Sequence, residues 1–434
     1  MAFLSVLRNL GGKRFAGGQT AIGVVAPLAT PLLARLRVLV AASLAALVVF
    51  AALAWDLGQR SGRTSASAAG ATAAVWPAGV ALPPNPDASF QRIAQGHVPM
   101  PEGTPAAHAS SLVAMPSTSA ASVLAFWFAG ERESAPDVQI ALSWFDRAQQ
   151  RWQPARFVVN RGAVGAQLGF GVRRLGNPVA WRDSAGHVHL FVVATGLGGW
   201  AAGRVLHLKQ KGPPAQDGRA LSAMKFDAVR VLPLSWLWNT SFLARNAPLA
   251  LADGGMLLPL YFELGIKTPV AARFGATGEF LGLQRISGRR HLLQPSLVMQ
   301  DESRWLALMR DQGPEHRVAV AVTDDAGQHW HDQPSLALPN PDAAVAGLGL
   351  GPGLMVLAYN PAAQGRESLA LSASANGRDW RTVAALAEGG RGSEFSYPAL
   401  TWSDDSLWVS YTDGRRRIAW QRWTLTPAGS GAAR

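Results

Sequence analysis

The sequence predicts an all-β chain, a six-bladed β-propeller preceded by a single N-terminal transmembrane helix and a linker, and three observations predict it. An eight-residue signature, Thr323-Asp324-Asp325-Ala326-Gly327-Gln328-His329-Trp330, returns fifty residues on in a worn copy that ends at Gly377 and Trp380. Between His108 and about Trp423 the chain is written in short apolar runs bounded by Gly, Asp, Asn or Pro, none with a helical period. Roughly 315 residues at about 50 per four-stranded blade make six blades.

The signature has a mechanism. Thr323, Asp325, Gly327 and Trp330 fall at relative positions 1, 3, 5 and 8. A short Asp side chain accepts hydrogen bonds from the backbone just ahead, Gly takes the positive φ that a tight hairpin needs, and Trp lays its apolar face on the neighbouring sheet. In the second copy Ala373 and Ala375 stand at the first two positions, so the Asp is lost while Gly377 and Trp380 keep their spacing. A third trace runs from Ser143 to Trp152. Trp-bearing hairpins in another all-β fold are the alternative.

Whole-chain composition narrows the class. With 434 residues, 48% of them hydrophobic, the chain can bury a sizeable core. It has no Cys, hence no disulfide and no thiolate chemistry. The net charge is +12, and residues 1–55 supply five basic and no acidic side chains, which leaves +7 spread thinly over the rest. The only dense basic cluster is Arg415-Arg416-Arg417, with no nucleic-acid motif beside it, so no nucleic-acid partner is expected.

In chain order, residues 1–37 form a basic leader, expected to be cytoplasmic. Val38 to Trp55 run eighteen residues with Ser43 as the polar member, about 27 Å of helix against a hydrocarbon core of about 30 Å. This stretch, 38–55, is expected to be a membrane anchor. The basic residues all precede it, which orients the remainder to the periplasmic or extracellular side. A signal peptide cleaved near Ala52-Leu53-Ala54 is the competing reading. Residues 56–105, rich in Ala, Ser, Gly and Pro, are expected to be a linker that buries nothing. The propeller is assigned to 106–425 and a frayed tail to 426–434. Strands are expected at Val123–Phe128, His187–Val193, Met256–Tyr261, Trp305–Met309 and Leu407–Tyr411.

The order of His108-Ala109-Ser110, Ala135-Pro136-Asp137-Val138, Asn177-Pro178-Val179, Gln294-Pro295, Leu338-Pro339-Asn340-Pro341, Tyr359-Asn360 and Glu394-Phe395-Ser396-Tyr397-Pro398 resembles the sialidase superfamily of BNR, or Asp-box, repeat proteins. The resemblance covers nearly the whole of 106–425. It implies an exo-acting glycosidase on a terminal acidic sugar of a glycan, sialic acid or a uronic acid, needing no cofactor or metal. It implies Arg310 and Arg366 as two arginines that hold the sugar carboxylate, Tyr397 as nucleophile and Asp137 as acid/base.

The chain departs from that pattern in two places. His108 stands where a first carboxylate-binding arginine is expected, and Gln294 where a Glu would take the phenol proton. Glu394 or Glu263 is expected to replace that Glu from another strand, with His108 and Gln294 shaping the pocket. The alternative function is a propeller that binds carbohydrate, or serves envelope assembly, without turnover. Each residue also has a structural alternative: Arg310 and Arg366 in ion pairs, Tyr397 in the core, Asp137 as a turn cap, His108 as a hydrogen-bonded strand residue. Trp236 and Trp238 read as apolar strand residues before sugar-stacking ones, and His187 with His189 as a solvent-facing pair before a metal pair, since no third ligand is placed. Gly347 to Gly353 lacks the Lys-Ser/Thr of a P-loop, and there is no G-x-S-x-G elbow.

Overall fold

A computed structural model of the chain describes residues 30–62, 72–80, 88–196 and 198–426. Two units make it up, divided between Ala54 and Trp55. Thr30–Gly62 is one helix of 33 residues. Leu36, Val38, Leu39, Leu47 and Phe50 are exposed on it, Phe50 to 77%. Among the described residues no helix is long and apolar enough to cross a membrane. The expected anchor, 38–55, takes in residues 53 and 55, whose side chains lie outside the described residues, as do all of 1–29 and 427–434.

The second unit is six antiparallel sheets. The first blade holds Ala106–Ala114, Ala121–Gly130, Gln139–Asp146 and an outer edge split between Arg151–Trp152 and Arg156–Val159. The second holds Arg174–Arg182, Val188–Thr195, Arg204–Gln210 and Phe226–Val231. The third is built on Phe242–Ala244, Met256–Phe262, Thr268–Phe274 and Phe280–Arg285, and the fourth on Leu292–Met299, Trp305–Asp311, Ala319–Thr323 and His331–Gln333. The fifth holds Ala346–Gly349, Met355–Tyr359, Ser368–Ser374 and Arg381–Glu388. Phe395–Ser403, Ser406–Asp413 and Arg417–Thr426 make three strands of the sixth.

The fourth strand of the sixth blade comes from the other end of the chain. Ser89–His97 pairs antiparallel with Arg417–Thr426, Phe90 opposite Leu425 and Gly96 opposite Trp420. This corrects the linker expected over 56–105: its last part closes the ring, and Ala74, at 3% exposure, is buried against the third and fourth blades. Apolar clusters fill each seam between neighbouring blades, as expected for sheets that each bury two faces. At the seam of the sixth and first blades Trp408 stacks on Trp420 with centroids 5.6 Å apart, and Phe145 meets both edge-on.

The hairpin signature joins the third and fourth strands of the fourth blade. Gly327 N–H donates to Thr323 Oγ1 at 3.0 Å and His329 N–H to Asp325 Oδ1 at 2.8 Å. Gly327 has φ +84°, and a Cβ there would lie 2.7 Å from the Trp305 ring. In the fifth blade the worn copy is shifted by one residue from the expected alignment. Ser374 Oγ accepts from Gly377 N–H at 2.9 Å, and Asn376 Oδ1 accepts from the N–H groups of Arg378 and Asp379, both at 2.9 Å. Ser374 and Asn376, not Ala373 and Ala375, do the work of Thr323 and Asp325.

Candidate functional site

All six innermost strands run the same way along the ring axis, so their first residues share one end of the central channel. At that end four of them lose register, between His108 and Ser111, Gly176 and Val179, Leu293 and Ser296, and Ser396 and Ala399. Inside each break one residue with a side chain takes positive φ: Ala109 55°, Asn177 42°, Gln294 52° and Tyr397 54°. Pro follows the last three and bars them from the right-handed helical region. A bulge re-aims a side chain, and a left-handed residue other than Gly persists only where its surroundings hold it there. Here two of the re-aimed side chains, Gln294 and Tyr397, meet across the axis.

Tyr397 from the sixth blade lies with its ring centroid 4.3 Å from that of His108 in the first. Gln294 of the fourth blade sets its Nε2 3.3 Å from Tyr397 Oη and 3.5 Å from Tyr261 Oη, a phenol of the third. Arg310 Nη1 donates to Gln294 Oε1 at 3.3 Å. The amide therefore donates toward the phenols and accepts from the guanidinium. His108 is buried, and burial, then the positive charge of Arg415, pushes its pKa well below the ordinary value, so the ring is neutral. Burial pushes the Tyr261 phenol up, and it too stays neutral.

Arg245 lies beneath. Its side chain is 2% exposed, and its guanidinium carbon sits 5.0 Å from the Tyr397 ring centroid. It donates to Ser110 O at 3.1 Å, to Pro398 O at 2.8 Å and to Tyr397 O, and so ties the first and sixth blades at both bulges. No carboxylate pairs with it among the described residues, and burial pulls its pKa down to about 10. Asn246, next in the chain, donates to Gln294 O at 2.9 Å and Pro295 O at 3.0 Å. Sequence reasoning names Asn246, as a turn former before a sugar-hydroxyl partner, but misses Arg245. The signal was there: Phe242-Leu243-Ala244-Arg245-Asn246 places a cation in an apolar strand, where a charge is retained only for a purpose.

Toward the mouth, charged groups alternate. Arg310 Nε donates to Asp342 Oδ1 at 2.5 Å, and Arg366 Nη2 to Asp342 O at 2.9 Å, so the two arginines named from the sequence converge on one residue. Burial works to lower the Arg310 pKa, but the Asp342 hydrogen bond outweighs it and the net shift is upward. Arg366 Nη1 also reaches Glu394 Oε1 at 3.3 Å. Arg415 grips Glu394 with two donors, at 2.7 and 3.1 Å, and pairs with Glu133 through a third. Burial works to raise the Glu394 pKa, but the hydrogen bonds from Arg415 and Ser396 hold it down at about 2.

The three carboxylates named from the sequence behave differently in space. Glu394 is committed to Arg415 and Arg366, and a carboxylate so depressed is a poor proton acceptor near neutrality. Asp137 is exposed and caps its own loop, accepting from Glu131 N–H at 2.7 Å. Glu133 in the same loop is the carboxylate that joins the charged chain at the mouth. Glu263 is half-buried, burial pushes its carboxyl up, and its oxygens have no hydrogen-bond partner among the described residues. It acts electrostatically on Tyr261 and is acted on by Arg310.

Other expectations are corrected. Trp236 and Trp238 belong to no strand; they are 66% and 46% exposed in the loop that enters the third blade, at the Tyr397 end of the ring. His189 is not solvent-facing but buried, with Nε2 3.0 Å from Asp183 Oδ2 and Nδ1 2.7 Å from His207 Nε2. Among the described residues no group of three or more His, Cys, Asp or Glu is placed to hold a metal ion.

The sequence pattern of the BNR repeat-like domain matches residues 121–409. No curated protein sequence matches the chain. Among solved structures, a Hadza microbial sialidase superposes with a TM-score of 0.58 at 16% identity, over 73% of this chain and 65% of that one. Trypanosoma rangeli sialidase gives 0.57 at 12% identity, over 78% of this chain and 60% of that one. A Dyadobacter fermentans protein of unknown function gives 0.58 at 11% identity, over 78% of this chain and all of that one. The matched region is thus under two thirds of the length of either sialidase, and at such identities the likeness is one of fold.

Proposed function

The chain belongs to the BNR repeat-like family of sialidase-like propellers, and from that premise we propose that it recognises the acidic terminal sugar of a glycan and releases it as an exo-glycosidase. The observation that carries this is the gathering of Arg310, Arg366 and Arg415 near Tyr397 at one end of the channel, above the buried Arg245 that holds the Tyr397 backbone. Guanidinium groups with fixed forks are suited to a sugar carboxylate, and exposed Trp236 and Trp238 on the same face offer rings for the glycan beyond it. Trypanosoma rangeli sialidase is known in complex with sialic acid, which makes a sialic or related acid the first ligand to try.

Turnover requires Tyr397 to form a bond to the sugar carbon and lose its proton, while the leaving oxygen gains one. Gln294 cannot take that proton. Glu263 is a half-buried carboxyl without an arginine partner among the described residues, and its upward-shifted pKa suits one group that first accepts the phenol proton and then gives it to the leaving oxygen. Attachment to a membrane through 38–55, with the propeller on the periplasmic or extracellular side, is part of the proposal. It rests on the long helix Thr30–Gly62 with its outward apolar side chains.

A second reading, binding without turnover, is favoured by the amide of Gln294 at Tyr397 Oη. The test is the full chain with 4-methylumbelliferyl glycosides of sialic and glucuronic acid, beside Tyr397→Phe, Glu263→Gln and Gln294→Glu. Release lost in the first two variants supports the glycosidase. Release by Gln294→Glu alone, with the wild type binding the sugar in an Arg366-dependent way, establishes the binding propeller. Neither release nor binding of any acidic sugar rejects both.

A further inference from the structure

A cavity of about 650 Å³ lies at the end of the channel away from Tyr397, lined by the far ends of the innermost strands at 111–117, 180–182, 245–250, 346–349 and 399–405. Residues 75–79 run along its wall, pinned by Ala74 N–H to Glu302 O and Val75 N–H to Ala250 O, both at 3.1 Å. Trp76 lies hard against Gly349, where a Cβ would come 2.7 Å from the indole ring.

Three of the lining side chains carry a buried N–H with no acceptor: Arg182 Nε, Arg245 Nε and Trp402 Nε1. A buried donor left unsatisfied costs about 1–3 kcal/mol, and three on one cavity call for an acceptor inside it. Two of the three belong to cations. The lining carboxylates do not answer them: Asp404 is engaged by Arg147 at 3.1 Å, and Asp405 is exposed at the rim. Half-buried Trp76 presents a flat apolar ring to the same cavity, and the seam residues Trp181 and Trp402 border it. The volume falls in the range of about 300–1,000 Å³ that small-molecule sites occupy.

We propose that this cavity is a second ligand site, distinct from the Tyr397 pocket, that takes a small organic anion with a carboxylate head on Arg182 and Arg245 and a flat ring against Trp76. The requirement is charge and shape together. A neutral ring leaves the arginines unanswered, and a bare inorganic anion leaves the Trp76 ring uncovered. Arg245 is shared between the two ends, since its other donors hold Ser110 O, Tyr397 O and Pro398 O.

The probe is benzoate, with benzamide as its uncharged counterpart, titrated into the full chain by calorimetry. Saturable benzoate binding without benzamide binding is expected. Arg182→Gln, which keeps most of the side-chain volume, should weaken it about tenfold or more by removing a charge-assisted contact. Trp76→Ala should weaken it as well, while Arg366→Ala at the opposite end should not. No saturable benzoate binding up to about 10 mM overturns the proposal. So does equal binding of benzamide, or benzoate binding that survives Arg182→Gln and is lost in Arg366→Ala.

Discussion

Glu394 shows how much one residue's partners decide. Its carboxyl sits at about 2 in the folded chain against an ordinary 4.5, because Arg415 and Ser396 donate to the charged form strongly enough to overcome burial. A folded value below the unfolded one means that the ionised group stabilises the fold above pH about 4.5 and loses that contribution as pH falls toward 2. Glu394→Gln should therefore unfold at lower urea than the wild type at pH 7, with the gap narrowing through that window and closing near its acid end. Urea midpoints across the pH series would show it, and a gap constant with pH would mean that the Arg415 grip contributes no ionic stability. The same residue marks what could be read beforehand. Tyr397, Gln294, His108, Arg310 and Arg366 were named from their order along the chain, and they do come together in space. That Glu394 is tied up by arginines and that Arg245 underlies Tyr397 depend on contacts between residues 21 to 152 positions apart, which no local pattern encodes.

At the scale of the element, the Asp-box hairpins were legible because their chemistry is local. The hydrogen bonds that Thr323 and Asp325 accept or exchange within the turn, up to His329, span four residues or fewer. The second copy was misaligned by one residue for a physical reason: Ser hydroxyl and Asn carboxamide oxygens accept from the backbone as Thr and Asp do. A search for Asp at a fixed spacing passes over them. These hairpins join third to fourth strands and so lie at the end of the ring away from Tyr397, which separates their stability role from the site. Gly327→Ala should lower the thermal midpoint by several degrees, since it forces a side chain into φ +84° and toward the fully buried Trp305. Ligand affinity at the Tyr397 end should be unchanged. Equal melting of variant and wild type would show that Trp305 yields without cost, and a matching loss of affinity would show that the two ends are not independent.

At the largest scale the six blades form a ring, and a ring is only as sound as its last seam. Ser89–His97 escaped notice because an outermost strand carries little apolar patterning: Ile93 is exposed, Gln91 and Arg92 face water, and the preceding text is a run of Ala, Ser, Gly and Pro. Its partner strand lies more than 300 residues away, so the pairing could not be read from neighbours. Yet it places chain from before the first blade beside the last strand, and the Trp408–Trp420 stack with Phe145 locks the sixth blade to the first. Without it, Arg417–Thr426 becomes a bare edge with unpaired N–H and C=O groups, a template for pairing with another chain. Two truncations isolate that contribution: one starting at Ala88, which keeps the closing strand, and one starting at Val98, which removes it and leaves every other strand of the six blades. The longer form should melt cooperatively as one species. The shorter form should melt well below it and elute partly as dimers or larger assemblies, with the excess growing with concentration as edge pairing requires. If both melt alike and stay monomeric, the tryptophan seam alone closes the ring, and Ser89–His97 is a passenger on its rim.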